Sequence, residues 1–262
     1  MKLAHTIQKL LHKYVHKRCR SRSERYFKEI RGKFKGQRGF VIGNGPSLLM
    51  PDLEALKNEI TIASNKIFLA FDQTDWRPTY YTIISGIQCE KVGNELGNYF
   101  KTVHTKLKLE NLVRAREVFG WENIGESGIE LDDNEIPRFS DDLTNGAYGG
   151  RSVTYEALQF AAHLGLNPIY LIGCDHNYSD QSADAVGESK IEASQCSDHF
   201  HPDYRTKGEI INPFMGDSIK LSFQHARYWA ELNGVEIINA TRGGHLEVFP
   251  RADLDEILGI KA

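Results

Sequence analysis

The 262-residue sequence lacks the long apolar run that a membrane-spanning helix needs, which is about 18 residues. It also lacks the apolar core of a signal peptide, because Leu10 and Leu11 stand between Lys9 and His12. Cysteine is sparse, with four scattered residues and neither a CxxC pair nor zinc-finger spacing. Together these absences predict a cytoplasmic protein with free thiols in a reducing compartment.

Negative charge is nearly absent from the start of the chain. Residues 1–38 contain 13 Lys and Arg against two acids, a balance of +11, whereas the remainder carries −14. Apolar residues recur there at helical spacing, at Leu3, Ile7, Leu10, Leu11, Tyr14 and Val15. We predict a basic amphipathic helical arm over 1–37, of which 1–35 binds an anionic membrane surface and holds the protein peripherally at the inner membrane.

Two alternatives to membrane binding remain open for this arm. Its apolar stripe can pack on the rest of the chain, or on a second copy of the chain in a homo-oligomer. Nucleic acid is not an expected partner, because no aromatic residues are interleaved with the basic ones and the body of the protein is acidic.

Strands and helices alternate along residues 38–262, which we take as one domain. Strands are expected at 39–42, 60–63, 79–84, 168–173 and 235–239, with a further one near Val103, and helices at 51–57, 152–164, 218–232 and 252–258. This order predicts an α/β, Rossmann-like, mostly parallel sheet flanked by helices. Residues 120–147 read as an acidic loop, and 176–215 form a polar loop long enough to be a lid.

Ligands of such sheets bind at the carboxyl ends of the strands. The residues that follow the predicted strands are 43–47, 64–65, 85, 175–178 and 241–244. The adjacent glycines Gly243 and Gly244 indicate a close backbone approach, either to a bound base or to the lid.

The first strand runs into Gly43-Asn44-Gly45-Pro46-Ser47, which matches neither the dinucleotide fingerprint nor a phosphate-binding loop with Gly-Lys-Ser/Thr. Glycines on both sides of Asn44 allow a sharp turn and a close approach to a ligand. The Asn44 amide can donate to a phosphate and accept from a sugar hydroxyl. The alternative is a tight strand-to-helix turn in which Asn44 only caps.

Five segments, VIGNGPSL, IASNKIF, YGGRSVTYEALQFAAHLGLNPIYLIGCDHNY, HFHPDY and INATRGGHLEVFPR, together resemble bacterial proteins with the MptE-like (hydroxymethylpterin diphosphokinase-like) domain. The resemblance covers about residues 38–251. The first, second and fourth strand regions also resemble small bacterial sialyltransferases that use CMP-sialic acid. The resemblance implies a glycosyltransferase that takes a nucleotide-activated sugar, most simply a CMP-linked acidic sugar, to a glycan or lipid-linked acceptor of the cell surface.

The sialyltransferase resemblance also implies roles for individual residues. Asn44 would meet the nucleotide phosphate and ribose, and Asn65 the nucleotide or donor sugar. Ser152 and Thr154 replace a Thr-Ser-Gly that receives cytidine. The implied nucleotide-binding set is Gly43, Asn44, Gly45, Ser47, Asn65, Ser152, Thr154 and Asp175.

The remaining implied roles concern the transfer chemistry. Tyr178, and less directly Tyr204, would hold the leaving phosphate, while His199 or His201 would be the base. Arg151 either clamps a phosphate or carboxylate or is a surface arginine. Asp175 either orients a ribose or histidine or caps the next turn.

No DxD motif is present, and the acidic pairs Asp132-Asp133 and Asp141-Asp142 read as solvated loop residues, so we expect no metal or other cofactor. A metal bound by His199 and His201 with Asp198 or Asp203 stays an alternative. A Mg²⁺-dependent diphosphokinase that moves pyrophosphate from ATP to a pterin-like alcohol is the second candidate function. A nucleotide-binding scaffold recruited by its arm is the third.

Overall fold

A computed structural model describes residues 24–82, 139–177, 191–192, 198–206, 208–211 and 216–260. For 191–192, 210–211 and 216–218 it describes the backbone alone. Several predictions therefore lie outside the described residues: the amphipathic stretch of the arm, the strand near Val103, most of the 176–215 loop, and the positions Ser85 and Tyr178.

Five parallel strands form the central sheet: β1 Gly39–Ile42, β2 Ile60–Ser64, β3 Tyr80–Thr82, β4 Ile169–Ile172 and β7 Ile237–Asn239. Their order across the sheet is β3-β2-β1-β4-β7, while β5 (Ile191–Glu192) and β6 (Ile210–Ile211) lie outside it. β1 lies in the middle, where Gly39 is in register with Ile60 of β2 and with Ile169 of β4. These strands lie within or close to the segments predicted from the sequence, and the α/β fold class is confirmed.

The helices are α1 at residues 24–30, α2 Met50–Ala55, α3 Val153–His163, α4 Gly216–Asn233 and α5 Leu254–Leu258. Ser152 caps α3 because its hydroxyl accepts from the N–H of Thr154, and Asp253 caps α5 in the same way. Gly259, with φ 67°, ends α5 in the left-handed conformation. Four helices match the predicted segments, whereas α1 falls within the predicted arm.

Short elements in the connections were not predicted. A 3₁₀ helix, Asn65–Ala70, follows β2, and another, Pro202–Tyr204, lies near the end of the 176–215 loop. The same loop contains the antiparallel pair β5 (Ile191–Glu192) and β6 (Ile210–Ile211). β5 and β6 have two residues each, too few to show a periodic pattern.

Both faces of the sheet are covered by apolar side chains. One core includes Phe27 of α1, Phe160 of α3 and Phe223 of α4. The other includes Leu53 of α2, Trp76, and Phe68 of the first 3₁₀ helix. Each fully buried side chain of this size stabilises the fold by roughly 1.5–3 kcal/mol, so both faces of the sheet contribute to its stability.

Residues 24–37 are part of this packed structure. Phe27 is 1% exposed and lies edge-on to Phe160 and His163. His163 Nδ1 accepts from the N–H of Leu143, so Nε2 carries the hydrogen and donates to the Phe27 carbonyl at 2.9 Å. Burial lowers the pKa of His163 and keeps it neutral. The packed core thus includes residues from the 24–37 stretch, which the predicted domain boundary at residue 38 places outside the domain.

Within the described part of the chain, no helix combines the length and the apolarity that crossing a membrane requires.

Candidate functional site

The chain leaves β1 toward β2 on one side and leaves β4 toward β7 on the other, so the sheet changes direction between β1 and β4. The carboxyl ends of strands at such a point form the usual binding crevice of an open α/β sheet. The loops after these two strands meet there. The N–H of Gly45 donates to the Gly173 carbonyl at 2.8 Å, and the Ser47 hydroxyl donates to Asp175 Oδ2 at 2.7 Å. We refer to this edge as the rim.

The two glycines of the rim loop are required by contacts within the protein. A Cβ at Gly43 would overlap the Gly173 carbonyl oxygen, and a Cβ at Gly45 would overlap the Asp175 carboxylate. Neither glycine has a positive φ. The close approach of the β1 and β4 loops therefore explains why both positions are glycine. The approach to a ligand that the sequence predicted is not needed to explain them.

Asn44, between these glycines, ties the rim loop to β2. Its Nδ2 donates to the Ser64 carbonyl at 3.2 Å and lies 3.4 Å from the Ser64 hydroxyl. Its Oδ1 is buried and accepts no hydrogen bond from any described residue. Because an unpaired buried acceptor costs roughly 1–3 kcal/mol, Oδ1 is suited to a donor that a ligand hydroxyl would bring.

The segment 198–206 contacts the backbone of Asn44. The N–H of Phe200 donates to the Asn44 carbonyl at 3.0 Å, and the Phe200 ring packs against the core on the α2 side of the sheet. The rim loop and the segment that contains both candidate histidines are therefore in direct contact.

Asn65 follows β2 at the same rim. It is half-buried and has a left-handed backbone with φ 52°, and the Tyr81 hydroxyl donates to its carbonyl. Lys66, the next residue, is 7% exposed and places Nζ 5.9 Å from the centre of the Tyr204 ring. The left-handed turn at Asn65 thus directs a buried ammonium toward segment 198–206.

His199 stacks on Tyr204 with ring centres 3.8 Å apart and an angle of 10° between the planes. Burial, assisted by the positive charges of Arg205 and Lys66, lowers the pKa of His199 to about 3. Its Nδ1 is buried and has no hydrogen-bond partner among the described side chains and backbone. In this arrangement His199 is neutral at pH 7 and a weak base.

His201 has a different environment. Its Nδ1 accepts from the N–H of Asp203 at 3.2 Å and so caps the second 3₁₀ helix. A neutral imidazole has one basic nitrogen, and in His201 that nitrogen is engaged by the cap. A proton from an acceptor hydroxyl could reach Nδ1 only if this cap opened.

Asp175 is buried at the bottom of the crevice, with 8% exposed. Burial raises the pKa of its carboxyl, while the hydrogen bonds from Ser47 act in the opposite direction. Its carbonyl accepts from the N–H of His245 at 2.7 Å. Asp175 therefore holds together the loops after β1, β4 and β7.

Of the two glycines after β7, Gly244 approaches the β4 loop, where a Cβ would lie 2.8 Å from the Asp175 carbonyl oxygen. A Cβ at Gly243 would meet no described atom within 4 Å, and this glycine has a left-handed backbone with φ 70°. Arg242 pairs with Asp52 of α2 and Asp255 of α5. The close approach predicted for these glycines therefore occurs at Gly244, to a neighbouring loop of the protein, and neither a nucleotide base nor segment 198–206 is needed to explain it.

The start of α3 reaches the rim beside Cys174. Ser152 uses its hydroxyl to cap the helix, and the Thr154 side chain hydrogen-bonds the Cys174 thiol. Burial raises the pKa of Cys174 to about 12, which matches the expectation of an idle thiol. Arg151 is exposed with φ 55°, so its guanidinium is free to reach into solvent above the rim.

The structure thus brings most of the predicted site residues to one edge of the sheet. Gathered there are Gly43, Asn44, Gly45, Ser47, Asn65, Arg151, Ser152, Thr154, Asp175, His199 and His201. The described residues contain no group of three or more His, Cys, Asp or Glu that could bind a metal ion. Asp142, expected to be solvated, instead pairs with Arg31 at 2.6 Å.

Lys66 and Arg205 were missed by the sequence reasoning. Lysine and arginine are usually exposed, so a single cation next to an apolar run carries little signal. The apolar run at 67–70 was the signal that could have indicated burial of Lys66, because a lysine at the first turn of a buried element is itself partly buried.

Comparison with known proteins gives a family and a remote structural similarity. The model of the family described as 6-hydroxymethylpterin diphosphokinase MptE-like matches residues 14–181. The structure of a MAf glycosyltransferase from Magnetospirillum magneticum AMB-1 is similar at 13% identity and a TM-score of 0.44. The similarity covers 92% of this chain and 38% of that one, so this chain spans well under half of that protein. No curated protein sequence matches the chain significantly.

Proposed function

The chain belongs to the 6-hydroxymethylpterin diphosphokinase MptE-like family, and from this premise we propose that it is a glycosyltransferase that takes a sugar from a nucleotide-activated donor. The observation that carries the proposal is the buried Asn44 Oδ1 at the switch point of the sheet, which accepts no hydrogen bond from the described residues. A ribose or sugar hydroxyl is the donor that this atom lacks. The nucleotide would lie between the loops after β1 and β4.

The donor proposed is a CMP-linked acidic sugar. Ser152 and Thr154 at the start of α3 are the groups nearest in kind to those that receive cytidine in the sialyltransferases that this sequence resembles. Arg151, exposed beside them, would clamp a phosphate or carboxylate. Asn65 would contact the donor sugar, and Tyr178, outside the described residues, the leaving phosphate.

Transfer without a metal requires protein donors to stabilise the departing phosphate and a base to accept the hydroxyl proton. His199 and His201 are the proposed bases. Since the pKa of His199 is about 3 in the ligand-free arrangement, the donor must change its surroundings before it can act at pH 7. His201 would instead have to release the N–H of Asp203.

The proposed acceptor is a glycan or a lipid-linked intermediate of cell-surface assembly. The basic segment 1–23, with seven Lys and Arg and no acid, would hold the enzyme at an anionic membrane surface where such acceptors reside. The location proposed is therefore the cytoplasmic face of the inner membrane.

The second candidate is a diphosphokinase that transfers pyrophosphate from ATP to a pterin-like alcohol, the activity from which the family takes its description. That reaction gathers several phosphates around Mg²⁺ held by carboxylates. Asp175 is the rim carboxylate available for it in the described part of the chain, and its oxygen already accepts from Ser47.

A donor panel distinguishes the two reactions. The full-length protein is incubated with CMP-, UDP- and GDP-sugars and with ATP plus a pterin alcohol, each with and without EDTA. The glycosyltransferase proposal predicts hydrolysis or transfer of one nucleotide sugar, undiminished by EDTA. Release of AMP from ATP that requires Mg²⁺, with every nucleotide sugar left intact, would reject it in favour of the diphosphokinase.

A further inference from the structure

Three groups that are usually solvated are drawn together next to the rim. Lys66 is 7% exposed in the first 3₁₀ helix. Arg205 and His199 belong to segment 198–206, and the positive charges of Arg205 and Lys66 both act on His199. The first 3₁₀ helix packs against the second, Pro202–Tyr204, which brings the two elements into contact.

Two of these groups have polar atoms without partners. Arg205 Nη1 is buried and donates to no acceptor, and His199 Nδ1 is buried and unpaired, as judged over the residues that the structure describes. A buried guanidinium nitrogen without an acceptor is costly, because the loss of water is not compensated. Stacking on Tyr204 fixes the His199 ring, and the Lys66 ammonium lies 5.9 Å from the centre of the same Tyr204 ring.

The charges that act on His199 are positive on balance, because Arg205 and Lys66 each outweigh Glu209. Glu209 acts on His199 as the weakest of the four influences, and one of its carboxylate oxygens accepts from the N–H of Thr206. The side chain of Asp203 is 83% exposed and lies 3.9 Å from His201. The net field at His199 is therefore positive, as required for an anion-binding site.

We propose that Lys66, Arg205 and His199 form an oxyanion-binding site beside Asn44, and that it receives the charged group of the donor, either a phosphate or the carboxylate of an acidic sugar. The identity of the donor rests on the proposed function, whereas the site itself does not. Arg205 would donate to the oxyanion through Nη1, Lys66 would supply a second charge, and His199 would donate from its ring.

This site also gives the anion a role in controlling His199. A negative charge next to the imidazole favours its protonated form and so raises its pKa from about 3 toward neutrality. His199, a weak base in the structure described here, would become an effective base when the donor is bound. Binding of the donor would thus prepare the residue that accepts the proton of the acceptor.

Calorimetry of the full-length protein tests the site with four defined probes in addition to inorganic phosphate: CMP, cytidine, N-acetylneuraminic acid and its methyl ester. The variants are Lys66→Gln and Arg205→Gln, and the matched control is Lys35→Gln, which removes an exposed lysine from the turn after α1. We expect both site variants to weaken binding of the anionic probes by about ten-fold and the control to leave it unchanged. Cytidine and the methyl ester should be indifferent to the substitutions.

The anionic probes whose affinity falls in the variants identify the source of the oxyanion. If the affinity for phosphate and CMP falls, the site binds a phosphate. If only the affinity for N-acetylneuraminic acid falls, the site binds a sugar carboxylate. Because Lys66 is buried, folding of each variant is checked by thermal unfolding, and Arg205→Gln, which alters a partly exposed side chain, decides the matter if Lys66→Gln does not fold.

Histidine NMR supplies a second readout. Addition of the anion that binds should raise the pKa of His199 by at least about one unit in the wild type and by less in Arg205→Gln. Unchanged affinity for every anionic probe in Arg205→Gln overturns the proposal, as does a His199 pKa that does not move. If instead anion binding depends on Arg205 but no nucleotide sugar reacts, the site stands and the glycosyltransferase function fails.

Discussion

The Ser47 hydroxyl donates to Asp175 Oδ2 at 2.7 Å and thereby joins the loop after β1 to the loop after β4. These two loops diverge on either side of the switch point, and this bond joins them below the crevice together with the one from the Gly45 N–H to the Gly173 carbonyl. A ligand at the rim would lie above this hydrogen bond. The contribution of the bond to stability, and its dependence on pH, can be measured without knowing the ligand.

Replacing Ser47 by alanine removes the hydroxyl donor to Asp175. We expect a loss of about 1–2 kcal/mol in the free energy of unfolding at pH 7.5, because a buried carboxylate loses a hydrogen bond. The bond stabilises the charged form, so the loss should shrink as the pH falls and Asp175 is protonated. Urea unfolding at pH 7.5 and pH 5 measures both effects. Ser140→Ala, whose hydroxyl makes no hydrogen bond to a described residue, is the control, and an equal loss at both pH values would contradict the prediction.

Gly45→Ala tests the close approach of the same two loops. A Cβ at this position overlaps the Asp175 carboxylate, so we expect destabilisation of about 1–3 kcal/mol. In an Asp175→Ala background the added methyl meets a smaller neighbour and should cost less, with a coupling energy of at least about 0.5 kcal/mol. A double-mutant cycle by chemical denaturation measures that coupling. Additive effects would mean that the glycine is not required by Asp175.

His199 predicts a specific loss of stability in acid. Its pKa is about 3 in the folded protein and near 6.5 when unfolded, so the unfolded state binds the proton first as pH falls. The contribution of the neutral histidine is complete above pH 6.5 and is lost between pH 6.5 and 3, at up to roughly 1.4 kcal/mol per pH unit. His199→Gln should flatten this slope when urea unfolding is compared at pH 7, 6 and 5. Parallel curves for the variant and the wild type would show that His199 is not held neutral by burial.

Truncation separates membrane binding from folding. Removing residues 1–23 should abolish sedimentation with anionic vesicles, because this segment carries seven Lys and Arg and no acid, and should leave thermal unfolding unchanged. Removing residues 1–35 also deletes Phe27 and Ile30 from the core and should lower the melting temperature. Neutral vesicles are the control for charge. Persistent binding of the shorter truncation to anionic vesicles would reject residues 1–23 as the membrane anchor.

The main strands and helices could be predicted from the sequence because their apolar residues follow a simple pattern. β1 and β4 are apolar runs bounded by glycine, as expected of interior parallel strands, and α3 shows a continuous helical stripe behind the Ser152 cap. The rule that ligand residues follow strands then placed Asn44, Asn65 and Asp175 at one edge.

The contacts between loops could not be predicted from the sequence, because they join residues that are far apart along the chain. Asp175 meets Ser47 across 128 positions and Arg242 meets Asp52 across 190, and no local pattern records either pair. The low pKa of His199 likewise depends on burial by a neighbouring element and on Lys66, whose place inside the protein is set by the left-handed turn at Asn65.

The most direct measurement is calorimetric titration of CMP, UMP, GMP and AMP into the wild type and Asn44→Ala. Asn167→Ala is the matched control, because Asn167 also bridges backbone groups through its amide but precedes β4 at the opposite edge of the sheet. We predict that one nucleotide binds the wild type, that Asn44→Ala lowers the affinity for it by about ten-fold or more, and that Asn167→Ala leaves the affinity unchanged. Equal affinity in the wild type and Asn44→Ala would contradict the proposal that the rim loop binds the donor.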